Sequence, residues 1–200
     1  MDAIVAVDNN WAIGYRGNLL LRDHNDIERF KELTMGKYVV MRRKTSESLM
    51  KGFLAGRTNI ILTSDMNRPN FQSMLKLSDM HYNDTKIVFC DSTNSVFKFL
   101  GHELEDGKIN DEMDDVYVIG GESIYRQFLY FYKNIYLTHF DYNSVNFDTT
   151  FPDLRYEPAF KLTESIQDKD NPHCMYKKYT NVAARYKLTI DGSVIPQALK

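Results

Sequence analysis

Five short apolar runs most constrain what this chain can fold into. They are Ala3-Ile4-Val5-Ala6-Val7, Tyr38-Val39-Val40-Met41, Asn59-Ile60-Ile61-Leu62, Lys86-Ile87-Val88-Phe89-Cys90 and Val116-Tyr117-Val118-Ile119. Each has the length of a strand, and none alternates as a strand with one wet face does. They read as strands buried on both faces, as at the centre of an α/β sheet. Helix-like segments lie between them. Ile27, Phe30 and Leu33 share one helical face, a short helix is expected from Arg42–Thr45 through Leu49, and Asp91 or Ser92 caps a helix carrying Val96, Phe97, Leu100 and Leu104. A further helix is expected from Glu122 to Phe131, then a sixth strand from Asn134 to Phe140. Residues 160–167 and 174–180 alternate more, as antiparallel edge strands do. The expected class is α/β: three layers around a mostly parallel central sheet, with antiparallel C-terminal edge strands. Residues 65–85 read as irregular, with a short strand around Met74 to Leu77, and 103–115, with seven acidic residues and one lysine, as a solvated loop.

With 200 residues the chain suits one domain with a substantial core. A net charge of −2 implies neither a nucleic-acid nor a membrane partner. Cys90 and Cys174 form no CxxC motif, which fits a reducing cytosol, and the five histidines lack ligand spacing, so no metal is expected. The first residues lack the basic flank and long apolar run of a signal peptide, so a cytoplasmic protein is expected.

In sheets of this class ligands gather at the carboxyl ends of the strands. Three such ends suit phosphate. Gly120-Gly121 allows close backbone approach, Arg42-Arg43-Lys44-Thr45 offers cations and a hydroxyl, and Thr63-Ser64 adds hydroxyls next door. Each alone is compatible with an ordinary turn or a solvated patch; together they suggest a dinucleotide laid across the sheet. Asp26 stands beside an apolar stripe, where a carboxylate is costly to bury unpaired. It can serve the helix dipole at the N-terminus, or it can wait in a pocket for a cationic or amidine-bearing ligand.

The chain resembles the dihydrofolate reductase family. The motifs are Ile4-Val5-Ala6-Val7 followed by Ile13-Gly14, Asp26-Ile27-x-x-Phe30-Lys31, Val39-Val40-Met41-x-Arg43-x-Thr45-x-x-Ser48-Leu49, Leu54-x-Gly56-Arg57-x-Asn59-Ile60-Ile61-Leu62, Val118-Ile119-Gly120-Gly121-x-x-x-Tyr125 and Tyr136-Leu137-Thr138. They follow the family's order and spacing to about residue 181, which makes 1–181 the expected domain and 182–200 an extension.

The resemblance implies transfer of hydride from NADPH to C6 of 7,8-dihydrofolate, with a proton to N5, giving tetrahydrofolate. It makes Asp26 the acid of the pterin pocket, hydrogen-bonded by Thr138. A carboxylate suits this place because it accepts two parallel hydrogen bonds from the 2-amino group and N3. Ile4, Val5 and Ile119 would line the pterin, and Ile27, Phe30, Leu49 and Leu54 the aminobenzoyl ring. Arg57 would clamp the glutamate carboxylate, with Lys31 at the rim. The NADPH site would take Ala6, Ile13, Gly14, Asn18, Leu19, Arg42, Arg43, Lys44, Thr45, Thr63, Ser64, Ile119, Gly120, Gly121, Glu122, Ser123, Ile124 and Tyr125. Residues 9–18 with Leu19 would form a lid.

Three departures stand out. Leu20-Leu21 replaces the family's usual Pro-Trp, so Leu21, at a catalytic position, has no hydrogen bond to donate. Arg42 stands where a small residue is usual, and Ser123 where some members carry a cation. The tail alternates at Tyr186, Leu188 and Ile190 before an Asp191-Gly192 turn, as an edge strand, an oligomer arm or a partner-binding segment does, the plain alternative being a loosely ordered terminus. The rival readings are a related pyrimidine reductase of the riboflavin pathway and a folate- and nucleotide-binding homologue with little turnover.

Overall fold

The computed structural model describes residues 1–67, 69–81 and 84–197. In chain order the strands are β1 (Asp2–Val7), β2 (Ala12–Tyr15), β3 (Asn18–Leu19), β4 (Tyr38–Arg42), β5 (Thr58–Leu62), β6 (Lys86–Cys90), β7 (Val116–Gly120), β8 (Asn134–Phe140), β9 (Thr149–Thr150), β10 (Phe160–Gln167), β11 (Cys174–Asn181), β12 (Arg185–Leu188) and β13 (Val194–Gln197). The α-helices are α1 (His24–Thr34), α2 (Arg43–Ser48), α3 (Pro69–His81), α4 (Thr93–Glu105) and α5 (Glu122–Phe128).

Eight strands form the main sheet in the order β10-β11-β8-β1-β7-β4-β5-β6. The six from β8 to β6 run parallel, and β10 and β11 add an antiparallel edge. This is the expected α/β arrangement. The apolar runs are continuous because both faces of these strands are covered. Ala3, Val5, Val7, Val40, Ile60, Val118 and Leu137 point to one core, with Val96, Phe97 and Leu100 of α4 and Ile124 and Phe128 of α5. Their neighbours Val39, Met41 and Ile61 point to the other, with Phe71 and Met74 of α3.

Helix α3 corrects the expectation of irregular chain over 65–85, and of a strand at Met74 to Leu77; residues 68, 82 and 83 lie outside the described residues. Phe71 and Met74 are one helical turn apart and buried, and the Phe71 ring stacks on Phe89 of β6 at 4.0 Å. Residues 9–18 are likewise more ordered than a plain loop. Strands β2 and β3 pair, and β2 pairs with β9 in a small separate sheet. The Asp8 carboxylate anchors it by accepting from the backbone N–H of Asn10, Ala12 and Ser144.

The acidic segment 103–115 is not a solvated loop throughout. Its start is the last turn of α4, and Glu103, Ile109 and Met113 are buried. Tyr38 Oη donates to Glu103 Oε2 at 2.6 Å, and Lys86 Nζ donates to Oε1 at 3.0 Å. Tyr38→Phe removes one bond from a buried acceptor, so a loss of about 1–2 kcal/mol of stability is expected. Urea unfolding of the two proteins checks it; equal midpoints and slopes refute it.

The tail folds back on its own chain. Strands β12 and β13 form a hairpin, Leu188 is buried, and the Tyr186 ring meets Phe131 edge-on at 5.3 Å. The Leu188 N–H donates to the Asp111 carbonyl at 2.8 Å. The turn at 190–192 presses on α4 so closely that a Cβ at Gly101 would lie 2.6 Å from the Ile190 carbonyl oxygen. Only glycine fits there.

Candidate active site

The parallel strands β1, β4, β5, β7 and β8 all end on one edge of the sheet, and α1 lies across the face there. Asp23 supplies the N-cap of α1, its side chain accepting from the Asp26 N–H at 3.1 Å. The capping role is therefore filled by Asp23. Asp26, one turn on, aims its carboxylate at the sheet, where Thr138 Oγ1 donates to Oδ1 at 2.6 Å. Burial raises the Asp26 pKa above the usual carboxylate range, against the opposing pull of Thr138 and Arg29.

Strand pleating decides which neighbours share this face. Ala6 is opposite Thr138 in the β1–β8 register, and Ile4 is two residues back on the same side. Ile119 faces the same side of β7, packed against the second core with Leu49 and Leu54. Ile27 is half exposed, at 50%, and Phe30 is partly buried. These apolar side chains and one acid share the face of the sheet to which α1 is tied through Asp26. Val5, an expected substrate contact, points into the opposite core, leaving only its backbone near the site. Leu20 and Leu21 are partly buried, with the Leu20 N–H reaching the Ile13 carbonyl at 3.5 Å.

Arg57 lies beside Phe30 of α1, 6% exposed, with its guanidinium 5.8 Å from the Phe30 ring centre. Its Nη1 donates to the Ala55 carbonyl at 3.3 Å, and its buried Nε has no hydrogen-bond partner among the described residues. A buried donor without an acceptor suits an incoming carboxylate. Lys31 is exposed and lies 3.8 Å from Glu28.

On the adjoining strand ends, Arg42, Arg43, Lys44, Leu62, Thr63 and Ser64 line a small hollow of about 80 Å³. Arg42, Lys44 and Ser64 are exposed. The Arg43 guanidinium is held by both Glu47 oxygens at 2.6–2.7 Å, and Thr63 Oγ1 donates to the Asp65 carbonyl at 3.1 Å. These two side chains arrive already engaged. At the end of β7, Gly120 has φ +116° and its α-carbon faces the Tyr125 ring, where a Cβ would lie 3.2 Å from it. Gly121 follows, close to Thr45: a Cβ there would be 3.6 Å from Thr45 Oγ1. The basic hollow and the glycine backbone fit the phosphates of a dinucleotide.

Other expected cofactor residues are spread more widely. Gly14 is buried and Ile13 partly buried in β2; Asn18 and Leu19 are exposed in β3, on the flap over β1. Glu122 ties the start of α5 to Arg126 and to Thr150, and Ser123 is exposed. Ile124 is fully buried in the first core, and its N–H is spent on the Gly121 carbonyl, so its side chain is turned away. Tyr125 is buried and donates to the Ile4 carbonyl at 2.8 Å, leaving that oxygen one further lone pair.

Sequence reasoning missed Arg29. It stands three residues after Asp26, on the same helical face, and its Nη1 lies 3.5 Å from Thr138 Oγ1. That spacing was the available signal.

Fold and site together define an α/β protein with a partly buried acid on an apolar face and a basic hollow beside glycine backbone at the strand ends. The chain belongs to the dihydrofolate reductase family, whose model matches residues 1–185. It is similar to the dihydrofolate reductase of Buchnera aphidicola (strain APS), 27% identical over 173 residues, covering 85% of this chain and 91% of that protein. The Staphylococcus haemolyticus dihydrofolate reductase is 28% identical over 177 residues, covering 86% and 90%. A solved dihydrofolate reductase from Enterococcus faecalis, complexed with NADP(H) and RAB-propyl, has the same fold, with a TM-score of 0.65 over 90% of this chain and 95% of that one at 22% identity.

Proposed function

We propose that the chain catalyses the NADPH-dependent reduction of 7,8-dihydrofolate to 5,6,7,8-tetrahydrofolate. The observation that carries this reading is the Asp26–Thr138 pair, an acid of α1 aimed at the apolar face of the sheet in a chain that belongs to this family. NADPH, when bound, supplies the hydride that reaches C6. Arg42, Arg43, Lys44, Thr45 and Ser64 would hold its phosphates, and Gly120 and Gly121 would allow it close backbone approach. Asp26 orients the pterin through the 2-amino group and N3, and favours the form protonated at N5. Thr138 fixes the carboxylate rotamer. Arg57 receives the glutamate carboxylate, and Ile27, Phe30, Leu49 and Leu54 hold the ring between. The β2–β3 flap with Leu19 would cover the nicotinamide and exclude water. Leu21 contributes apolar surface but no hydrogen bond, so the proton reaches N5 without help from that side chain.

The test is dihydrofolate-dependent loss of reduced-nicotinamide absorbance with purified protein, run with NADPH and NADH in parallel. Consumption of NADPH in excess of NADH, abolished without dihydrofolate, is the expected result. Tight binding of both ligands with no turnover refutes it, as does turnover only with a deaminated pyrimidine of the riboflavin pathway.

A further inference from the structure

We propose that Arg29 is a positioning residue that, acting through Thr138 and by its own charge, keeps the Asp26 carboxylate ionised in the ligand-free pocket. Its guanidinium sits behind the acid, on the sheet side. It lies 4.7 Å from the Tyr176 ring centre and 5.9 Å from that of Tyr136, and its Nη1 is 3.5 Å from the oxygen through which Thr138 donates to Asp26. Thr138 has one proton and two lone pairs, so it can donate to Asp26 while facing a cation. Positive charge, hydroxyl and carboxylate stand in series.

The platform under the guanidinium is fixed. Tyr176 Oη donates to Asp168, whose carboxylate also accepts from Asn25 of α1 and from the N–H of Asp170 and Asn171. Tyr136 is opposite Lys178 in the β8–β11 register, and the Lys178 ammonium lies 5.4 Å from its ring. A planar guanidinium can stack on two aromatic faces and still reach a hydroxyl; an ammonium does this less well.

The other groups near Asp26 do not supply this charge. Asp23, on the same helix, adds a like charge that favours the protonated acid. On β11, burial pushes the Cys174 thiol up to about 12, and it stays neutral. Tyr125 of α5 is buried and neutral, donating to Ile4. Glu164 of β10 acts on Arg29 rather than on the acid. Burial and Asp23 therefore favour a protonated Asp26, and Arg29 with Thr138 oppose them. The ionised form matters because only it accepts both hydrogen bonds of an amidine-like edge.

The proposed reductase reading enters only through that last consequence; the ionisation itself is measured without substrate. The experiment is a carbon-13 NMR titration of aspartate carboxyl groups in ligand-free protein, with the Asp26 signal identified by its absence in Asp26→Asn. Arg29→Met is expected to raise the Asp26 midpoint by about 1 pH unit, and Arg29→Lys to restore most of the difference. Should Arg29→Met fail to fold, Arg29→Gln makes the same comparison, keeping a donor for Thr138 without the charge. An unmoved midpoint in the neutral variant, or Arg29→Lys titrating like it, overturns the proposal. A moved midpoint in a protein inactive with dihydrofolate supports the role of Arg29 and removes only the reductase reading.

Discussion

Asp26→Asn is expected to lower turnover of dihydrofolate near neutral pH by roughly 10²–10⁴-fold, the usual contribution of a placed acid or base. Asparagine keeps the size and can still accept from Thr138 Oγ1, now 2.6 Å from Asp26 Oδ1. It loses the negative charge that favours protonation of N5, and its amide NH₂ meets the pterin 2-amino group donor to donor. The defect lies in kcat more than in cofactor binding, because the basic hollow between Arg42 and Ser64 is built on other strand ends. The pH dependence has a definite sign. Burial raises the Asp26 pKa, so in the wild type the carboxylate forms as pH rises through a value above the ordinary one. In the variant no such group titrates, and a proton must come from substrate already protonated in solution. The variant's rate therefore rises as pH falls, narrowing its deficit at acid pH. Single-turnover rates of the two proteins across pH check this; equal rates at neutral pH remove Asp26 from the mechanism.

The parallel strands were legible because burial on both faces leaves a mark that needs no partner to interpret: apart from Asp2 and Arg42 at their ends, every side chain in β1 and β4 is apolar or nearly so. Helix α3 was not legible for the opposite reason. Its sequence, PNFQSMLKLSDMH, carries polar residues among apolar ones, and what holds it is the stack of Phe71 on Phe89 of the following strand β6. Charge counting misled at Glu103: one acid among seven is buried, selected by Tyr38 and Lys86 from elsewhere in the chain together with the segment's own Lys108. The tail's alternation signalled a strand, but its docking on Gly101 depends on a close backbone approach that spacing does not encode. The acid itself was visible as a carboxylate beside an apolar stripe. Its partner Thr138 is 112 residues away, and only the family resemblance joined the two before the fold did. Arg29 lay outside the resemblance, although its spacing from Asp26 put it on the right face.

Arg57→Ala is expected to weaken dihydrofolate binding by about 2–5 kcal/mol, the usual cost of removing one partner of a desolvated charge pair. The affinity loss is then roughly 30- to 4,000-fold. The size follows from how the cation is held. Arg57 is 6% exposed, its Nη1 has a long bond to the Ala55 carbonyl, and its Nε has no partner among the described residues. Burial lowers its pKa, which records a cation short of compensation in the ligand-free state. A carboxylate arriving along the Phe30 ring supplies both the acceptor and the opposite charge. The same imbalance makes a second outcome follow. Removing Arg57 deletes a strained cation along with its packing, so the ligand-free protein loses less stability than ligand binding loses affinity. Arg57→Lys does not rescue binding, because a point charge cannot match the two oxygens of a carboxylate in one plane. The discriminating ligand is a dihydropterin without the glutamate. Its affinity is expected to be the same for wild type and Arg57→Ala, while dihydrofolate separates them. Equal dihydrofolate affinity in the two proteins excludes Arg57 from the glutamate site. Equal losses for both ligands assign the residue to pocket shape rather than to charge recognition.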